Sequence, residues 1–205
     1  MSLITEVKVG SISNLSDARY CAGMGVQYLG FSMDRNTEHY VDQKTLKTIK
    51  EWIVGPTIVG EFSDLDPLVN VNSTLLEDID CIEIAEPALI DTCSKVNLPL
   101  ILKLDIASFK SVQELEGIMS QAIGRVLFFL LDRSSESVIK KMDILRLAAN
   151  YKIMIGFGID KHSIHTWIDG TDIYGISLKG GTEIKPGFKD YDELADILEE
   201  IETEG

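Results

Sequence analysis

Ionisable side chains stand within or directly after several short apolar segments of this chain. Asp132 follows one such segment, and Lys103 lies inside another. A carboxyl group beside apolar walls can act as a general acid, although an aspartate there can equally cap the following helix. A lysine in the interior is costly unless it is paired, so an ion pair is the favoured role for Lys103 and a Schiff-base nucleophile the alternative. The candidate partners of Lys103 are Asp105, Glu83 and Asp132.

Other polar residues near segment ends are candidates for accepting a proton. They are Glu61, Glu83 and Ser11. Lys8 lies in the first apolar segment, and the same argument predicts that it is paired. Each of these positions supports a structural as well as a catalytic interpretation.

Glycines cluster near the end of the chain, in Gly156-Phe157-Gly158 and in Lys179-Gly180-Gly181. Glycine allows a close backbone approach, and backbone N–H groups with a helix N-terminus can hold a phosphate. Lys179 could add a positive charge. We therefore predict a phosphate site formed by these two loops, with simple tight turns as the alternative.

The remaining residues with metal-binding chemistry form no recognisable ligand set. His162 and His165 are three residues apart without a third ligand, and the three cysteines have no CxxC spacing. His39 stands alone in a loop. We expect neither a metal nor another cofactor, and we expect Cys21, Cys81 and Cys93 to be small buried residues.

Composition excludes several classes of function. The formal net charge of −14 argues against nucleic-acid binding, because phosphate backbones attract clustered Lys and Arg. No segment has the length and apolarity of a membrane span, and residues 1–6 lack the features of a signal peptide. The expectation is a cytoplasmic protein that binds neither nucleic acid nor membrane.

Short β-branched and apolar segments recur along the chain and predict strands. Their starts lie roughly 20 to 30 residues apart, the length of a strand, a turn and a helix. Predicted strands occupy about 5–9, 27–32, 57–62, 80–84, 98–104, 125–131, 152–156 and 173–178. Eight such units favour an α/β fold, a single (βα)8 TIM barrel, over an open doubly wound sheet.

The helices and the domain organisation follow from the same pattern. Asn14 or Ser16 can cap the first helix, and apolar residues at helical spacing within 191–201 predict the last one. No linker or low-complexity tract divides the chain, so residues 1–205 are predicted to form one domain. In such a barrel the functional residues lie at the C-terminal ends of the strands.

Both ends of the chain resemble phosphoribosylanthranilate isomerases. The similarity lies in Val7-Lys8-Val9-Gly10, in Leu130-Leu131-Asp132 and in Pro186-Gly187-Phe188-Lys189-Asp190. It covers essentially the whole chain and implies a TIM barrel that catalyses an Amadori rearrangement of an aminoribose phosphate. The family uses a cysteine as the base at the place of Gly10.

The resemblance also assigns roles residue by residue. Asp132 matches the family's acid, and Lys8 matches its lysine on the first strand. His39 replaces an arginine that holds the anthranilate carboxylate, and Lys179 and Gly180 replace two serines after the last strand. These departures lie at substrate-facing positions, which indicates a change of ligand.

Three functions are therefore compatible with the sequence. The first is a divergent sugar-phosphate isomerase that acts on a small phosphorylated metabolite with Asp132 as acid. The alternatives are an authentic phosphoribosylanthranilate isomerase of tryptophan synthesis with a substituted base, and a non-catalytic protein that binds a phosphorylated ligand or a partner. A monomer or a homodimer fits each of them.

Overall fold

A closed barrel of eight parallel strands forms the centre of the protein. The computed structural model describes residues 2–63, 76–180, 182–185 and 188–203, and gives only the backbone for 182–185 and 188–190. Strand β1 pairs with both β2 and β8, which closes the sheet. The strands are β1 Glu6–Gly10, β2 Tyr28–Ser32, β3 Thr57–Phe62, β4 Cys81–Ile84, β5 Leu100–Asp105, β6 Phe128–Asp132, β7 Ile153–Ile155 and β8 Gly175–Lys179.

Helices follow the strands along the chain. They are α1 Leu15–Gly23, α2 Gln43–Lys50, α3 Ile90–Cys93, α4 Val112–Ala122, α5 Lys141–Ala148, α6 His165–Ile168 and α7 Asp192–Glu200. Short 3-10 helices precede α3 and follow β5, at Pro87–Leu89 and Ile106–Ser108. None of the described helices has the length and apolarity needed to cross a membrane.

Side-chain chemistry explains where several elements begin. The Asn14 side chain accepts a hydrogen bond from the Asp17 N–H at 3.0 Å, which identifies Asn14 as the N-cap of α1. Ser111 caps α4 in the same way, accepting from the Glu114 N–H at 3.2 Å. All five residues of β2 are buried, as expected for a strand covered on both faces.

The predicted barrel is confirmed, and each predicted strand boundary lies within three residues of the observed one. Pairing of Val7 on β1 with Ile176 on β8 rules out an open doubly wound sheet. The three cysteines are buried and free, as expected.

One element was not predicted from the sequence. Strands β9 (Thr182–Lys185) and β10 (Phe188–Asp190) form an antiparallel pair between β8 and α7. The glycines and proline in this segment suggested a loop. Gly181, which belongs to the predicted phosphate site, lies outside the described residues.

The parallel register brings polar residues together at one end of the barrel. Glu61 pairs in register with Glu83, and Asp105 pairs with Asp132. Because all eight strands run in the same direction, these residues share the C-terminal mouth, where barrel proteins carry their sites.

Candidate functional site

A buried lysine and two glutamates form the inner part of the site. Lys8 Nζ lies 2.5 Å from Glu61 Oε1 and 3.0 Å from Glu83 Oε2. The side chains of Lys8, Glu61 and Glu83 are 2%, 18% and 6% exposed. We call these three residues the lysine–glutamate cluster.

Two glycines make room for this cluster. A Cβ atom on Gly10 would lie 2.7 Å from Glu61 Oε1 and 3.2 Å from Lys8 Nζ, and a Cβ atom on Gly30 would overlap the same carboxylate. Lys8 and Glu61 stand on β1 and β3, which are separated by β2. The bare backbone at Gly30 on β2 allows the two side chains to meet across it.

The charge on Lys8 is stabilised by its partners. Burial favours the neutral amine, but the attraction of Glu61 and Glu83, together with their hydrogen bonds, outweighs burial and raises the pKa of Lys8. The lysine is therefore positively charged over the physiological pH range.

The two glutamates differ in their acid–base properties. Burial opposes ionisation of both carboxyl groups. In Glu61, the charge and hydrogen bond of Lys8 and the Ser11 N–H prevail, and its pKa is lowered. In Glu83, burial and the negative charge of Glu61 prevail over Lys8, and its pKa is raised.

Ser11 holds the other oxygen of Glu61. Its backbone N–H donates to Glu61 Oε2 at 3.3 Å, and Ser11 has a left-handed φ of 58°. Such a conformation is uncommon for a residue other than glycine and concentrates at functional sites. It directs the Ser11 N–H toward the carboxylate.

A second ion pair stands nearer the solvent. Lys103 Nζ lies 3.1 Å from Asp132 Oδ2, with side chains 37% and 24% exposed. The Arg133 N–H donates to Asp132 Oδ1 at 2.8 Å. Of the three partners that the sequence proposed for Lys103, Asp132 is thus the one within ion-pair distance.

Asp105, the neighbour of Asp132 in the sheet, has a structural environment. Its carboxylate accepts hydrogen bonds from the Ala107 N–H at 3.0 Å and from the Ser134 N–H at 3.1 Å, and also from the Ser134 hydroxyl. Burial opposes its ionisation, but these donors lower the pKa of Asp105. The residue fastens the loop after β6 to the end of β5.

Two cavities meet at Lys103. The inner one has a volume of about 280 Å³ and is lined by Ser11, His39, Glu61, Glu83 and Lys103, among others. The outer one has a volume of about 450 Å³, and Lys103 and Asp132 line it. Lys103 therefore connects the candidate acid with the carboxylates deeper in the barrel.

The predicted phosphate loops surround a third cavity, of about 370 Å³. Gly156, Gly158, Lys179 and Gly180 all line it, together with the first turn of α7. The exposed side chain of Glu193, on that turn, adds a negative charge to the rim.

Two of the glycine N–H groups are already engaged within the barrel. Gly156 N–H donates to the Leu131 carbonyl at 2.8 Å, and Gly180 N–H donates to the Gly10 carbonyl at 2.9 Å. These glycines shape the cavity wall without offering their donors. An anion in this cavity would depend on Lys179 and on the Gly158 loop.

The histidines lie apart from these cavities, except for His39. The exposed His165 ring contacts Asp169 and Glu200 at the surface. Among the described residues, no group of three or more His, Cys, Asp or Glu side chains is arranged to hold a metal ion.

The sequence indicated Lys8, Glu61 and Glu83 as candidates but did not predict that they pair with one another. The cluster joins residues 53 positions apart on strands that do not pair with each other. Gly30 was the available signal, because a glycine inside a strand can mark a close approach of other groups.

These observations define the class of protein: a (βα)8 barrel with a polar, carboxylate-containing site at the C-terminal mouth. No established protein-family model matches the chain. It is similar to N-(5'-phosphoribosyl)anthranilate isomerase of Aquifex aeolicus (strain VF5), with 20% identity over 98% of this chain and 100% of that protein.

Solved structures agree with this similarity. A structure of monomers generated from the dimeric phosphoribosylanthranilate isomerase of Thermotoga maritima matches with a TM-score of 0.76 and 18% identity, covering 97% of this chain and 98% of that one. A phosphoribosylanthranilate isomerase in complex with reduced 1-(o-carboxyphenylamino)-1-deoxyribulose 5-phosphate matches with the same TM-score, 19% identity and the same coverage. The resemblance seen in the sequence motifs is confirmed, and the chain is consistent with a divergent member of that family.

Proposed function

We propose that this protein is a sugar-phosphate isomerase, related to the phosphoribosylanthranilate isomerases, with Asp132 as its general acid. The observation that carries the proposal is the position of Lys103. Its ammonium group lies 3.1 Å from Asp132, and the same side chain lines a cavity with Glu61 and Glu83. An acid and potential proton acceptors therefore converge on one mouth of the barrel.

The chemistry of such an isomerisation needs both kinds of group. Asp132 donates a proton to the ring oxygen as the bond between that oxygen and C1 breaks, and the sugar opens. The open form carries a C1=O or C1=N double bond. A base then removes the proton from C2, the C–H electron pair forms a C1–C2 double bond, and the pair of the former C1 double bond moves to its oxygen, which takes up a proton, or to its protonated nitrogen. Protonation at C1 and loss of the proton from the C2 hydroxyl complete the conversion of the aldose form to the ketose form.

The cavity between β7 and β8 is the proposed place of the phosphate. Its volume of about 370 Å³ admits a phosphate group with part of a sugar. Lys179 and Gly158 both line this cavity, and the Lys179 ammonium group supplies a positive charge. Glu193 at the rim opposes an anion, so the phosphate is expected to bind on the Lys179 side.

The inner cavity favours a substrate other than phosphoribosylanthranilate. Glu61 and Glu83 place carboxyl groups on the wall beside His39. A second carboxylate, such as that of anthranilate, would meet their negative charge, and His39 replaces a full cation only when protonated. A sugar phosphate whose other end carries only neutral hydroxyl groups suits this wall better.

The proposal is tested by isomerisation assays with two compounds. Phosphoribosylanthranilate generated in situ and ribose 5-phosphate would each be incubated with wild type, Asp132→Asn and Asp91→Asn. Asp91 is an exposed carboxylate paired with Arg125, so its variant is a matched control. Thermal unfolding would verify that all three proteins are folded.

Turnover of either compound that falls about 10²- to 10⁴-fold in Asp132→Asn, but not in Asp91→Asn, supports the proposal. Turnover of phosphoribosylanthranilate would assign the family's own reaction. Folded wild type that converts neither compound contradicts the proposal for these substrates. Stabilisation by either compound without turnover would instead indicate a binding protein.

A further inference from the structure

We propose that Glu61 is the general base of the site, and that its carboxylate occupies the space that the glycine at position 10 leaves open. This inference rests on the proposed function and deepens it, since it assigns the proton acceptor. The reasons are the position of the carboxylate, its access to the cavity and the arrangement of its partners.

The position of the carboxylate follows from the two glycines. A Cβ atom on Gly10 would lie 2.7 Å from Glu61 Oε1, which is closer than real side-chain contacts allow. A side chain at position 10 would therefore displace the carboxylate from its observed place. The carboxylate of Glu61, on β3, thus supplies a proton acceptor close to the place that a side chain at position 10, on β1, would occupy.

Access to substrate distinguishes Glu61 from the other candidates. Glu61 lines the inner cavity and its side chain is 18% exposed, three times the value for Glu83. Glu83 Oε2 is buried, lies 3.0 Å from Lys8 Nζ and, among the described residues, has no hydrogen-bond partner of good geometry. The Ser11 hydroxyl is neutral and accepts protons poorly.

One oxygen of Glu61 remains available for the reaction. Oε1 is bound by Lys8 at 2.5 Å, whereas within the described part of the chain Oε2 accepts a single long hydrogen bond of 3.3 Å from the Ser11 N–H. In the proposed step Oε2 accepts the C2 proton of the substrate. The electron pair of the broken C–H bond forms the C1–C2 double bond, and the pair of the C1=O or C1=N double bond moves to the oxygen or nitrogen.

Proton exchange at C2 of the substrate tests the assignment. The two sugar phosphates named above would be incubated in D2O with wild type, Glu61→Gln and Glu83→Gln, and deuterium at C2 followed by NMR. Both variants remove one carboxylate beside the same lysine. We expect exchange to fall about 10²- to 10⁴-fold in Glu61→Gln and less than about tenfold in Glu83→Gln.

The results separate this inference from the function on which it rests. Exchange by wild type that persists in Glu61→Gln overturns Glu61 as the base and leaves the isomerase proposal intact. A wild type that exchanges neither compound overturns both. Loss of exchange in Glu83→Gln equal to that in Glu61→Gln assigns the effect to the cluster as a whole and also overturns the specific assignment.

A double-mutant cycle of unfolding stability tests, without any substrate, whether the Glu61 carboxylate occupies the space beside Gly10. Gly10→Ala would be measured by urea unfolding in wild type and in Glu61→Ala. We expect the urea midpoint to fall in wild type and to fall much less in Glu61→Ala, where the opposing carboxylate is gone. Gly23→Ala, which places its methyl group in open space, is the control in both backgrounds. Equal effects of Gly10→Ala in both backgrounds would overturn the inference.

Discussion

The carboxylate of Glu61 lies where a side chain on Gly10 would project, with only 2.7 Å between Glu61 Oε1 and the place of a Cβ atom at position 10. This relationship joins β1 to β3 across the intervening strand. The position of the Glu61 carboxylate depends on Lys8, whose ammonium group donates a hydrogen bond to it. The buried ammonium group of Lys8 therefore stabilises the carboxylates of both Glu61 and Glu83.

Replacement of that lysine is expected to destabilise the fold strongly. Lys8→Met leaves Glu61 and Glu83 buried without their cation, and breaking a buried ion pair from one side costs about 3–5 kcal/mol. Urea unfolding at pH 7 measures this loss. Lys161→Met, which removes an exposed pair with Asp196, is the control and is expected to change stability by less than about 0.5 kcal/mol.

The loss of stability in Lys8→Met should also depend on pH. In wild type the lowered pKa of Glu61 gives stability that is present above its unfolded pKa and lost as the pH falls through the folded one. Without Lys8, burial raises the pKa of both glutamates. The free energy of unfolding of the variant therefore falls as the pH rises, because ionised carboxylates are unfavourable in the buried site. The difference between wild type and Lys8→Met should thus shrink from pH 7 to pH 5, and a constant difference would contradict the ion-pair account.

The pH dependence of catalysis distinguishes a carboxylate base from a thiol. Because the pKa of Glu61 is lowered, its carboxylate is ionised well below neutral pH. We expect C2 proton exchange by wild type to stay constant from about pH 8 to pH 5. A thiol base with an ordinary pKa of about 8.5 would instead lose roughly tenfold per pH unit over that range. Such a decline would argue against Glu61.

The barrel could be predicted because its signals are local. Alternating apolar segments at regular intervals fix the strands, and Asn14 fixes the start of α1. The contacts within the site were harder to predict, because they form only when the eight strands close into a barrel. Lys8 on β1 and Glu61 on β3 meet across β2, at the point where Gly30 has no side chain. The pattern of apolar residues along the sequence does not indicate such a contact. The β9–β10 pair was missed because its glycines and proline are equally typical of loops.

A surface histidine provides a second pH-dependent test. His165 Nε2 lies 3.0 Å from Glu200 Oε1, and Nδ1 lies 3.2 Å from Asp169 Oδ2. Hydrogen bonds to Asp169 and Glu200 raise the pKa of His165. Its stabilising effect is therefore fully present below the unfolded pKa of about 6.5 and lost as the pH rises through the higher folded value.

The variant His165→Gln tests this linkage. Chemical unfolding at pH 5.5 should show wild type to be more stable than the variant, and the difference should decrease by pH 8.5. His162→Gln is the control, since that ring has no carboxylate contact among the ion pairs of the described residues. A difference that grows with pH would contradict the assigned contacts.

Two glycines, one inside α4 and one just after it, separate backbone effects from packing effects. A Cβ atom on either Gly117 or Gly124 would meet no other atom within 4 Å. Gly117 lies inside the helix, where alanine is favoured over glycine by about 0.5–1 kcal/mol. Gly124 follows the helix with a φ of 79°, which costs an alanine about 1–2 kcal/mol. Thermal unfolding should therefore show a raised Tm for Gly117→Ala and a lowered one for Gly124→Ala. Because both methyl groups enter open space, shifts of the same sign would mean that the backbone conformation at position 124 is not the one described.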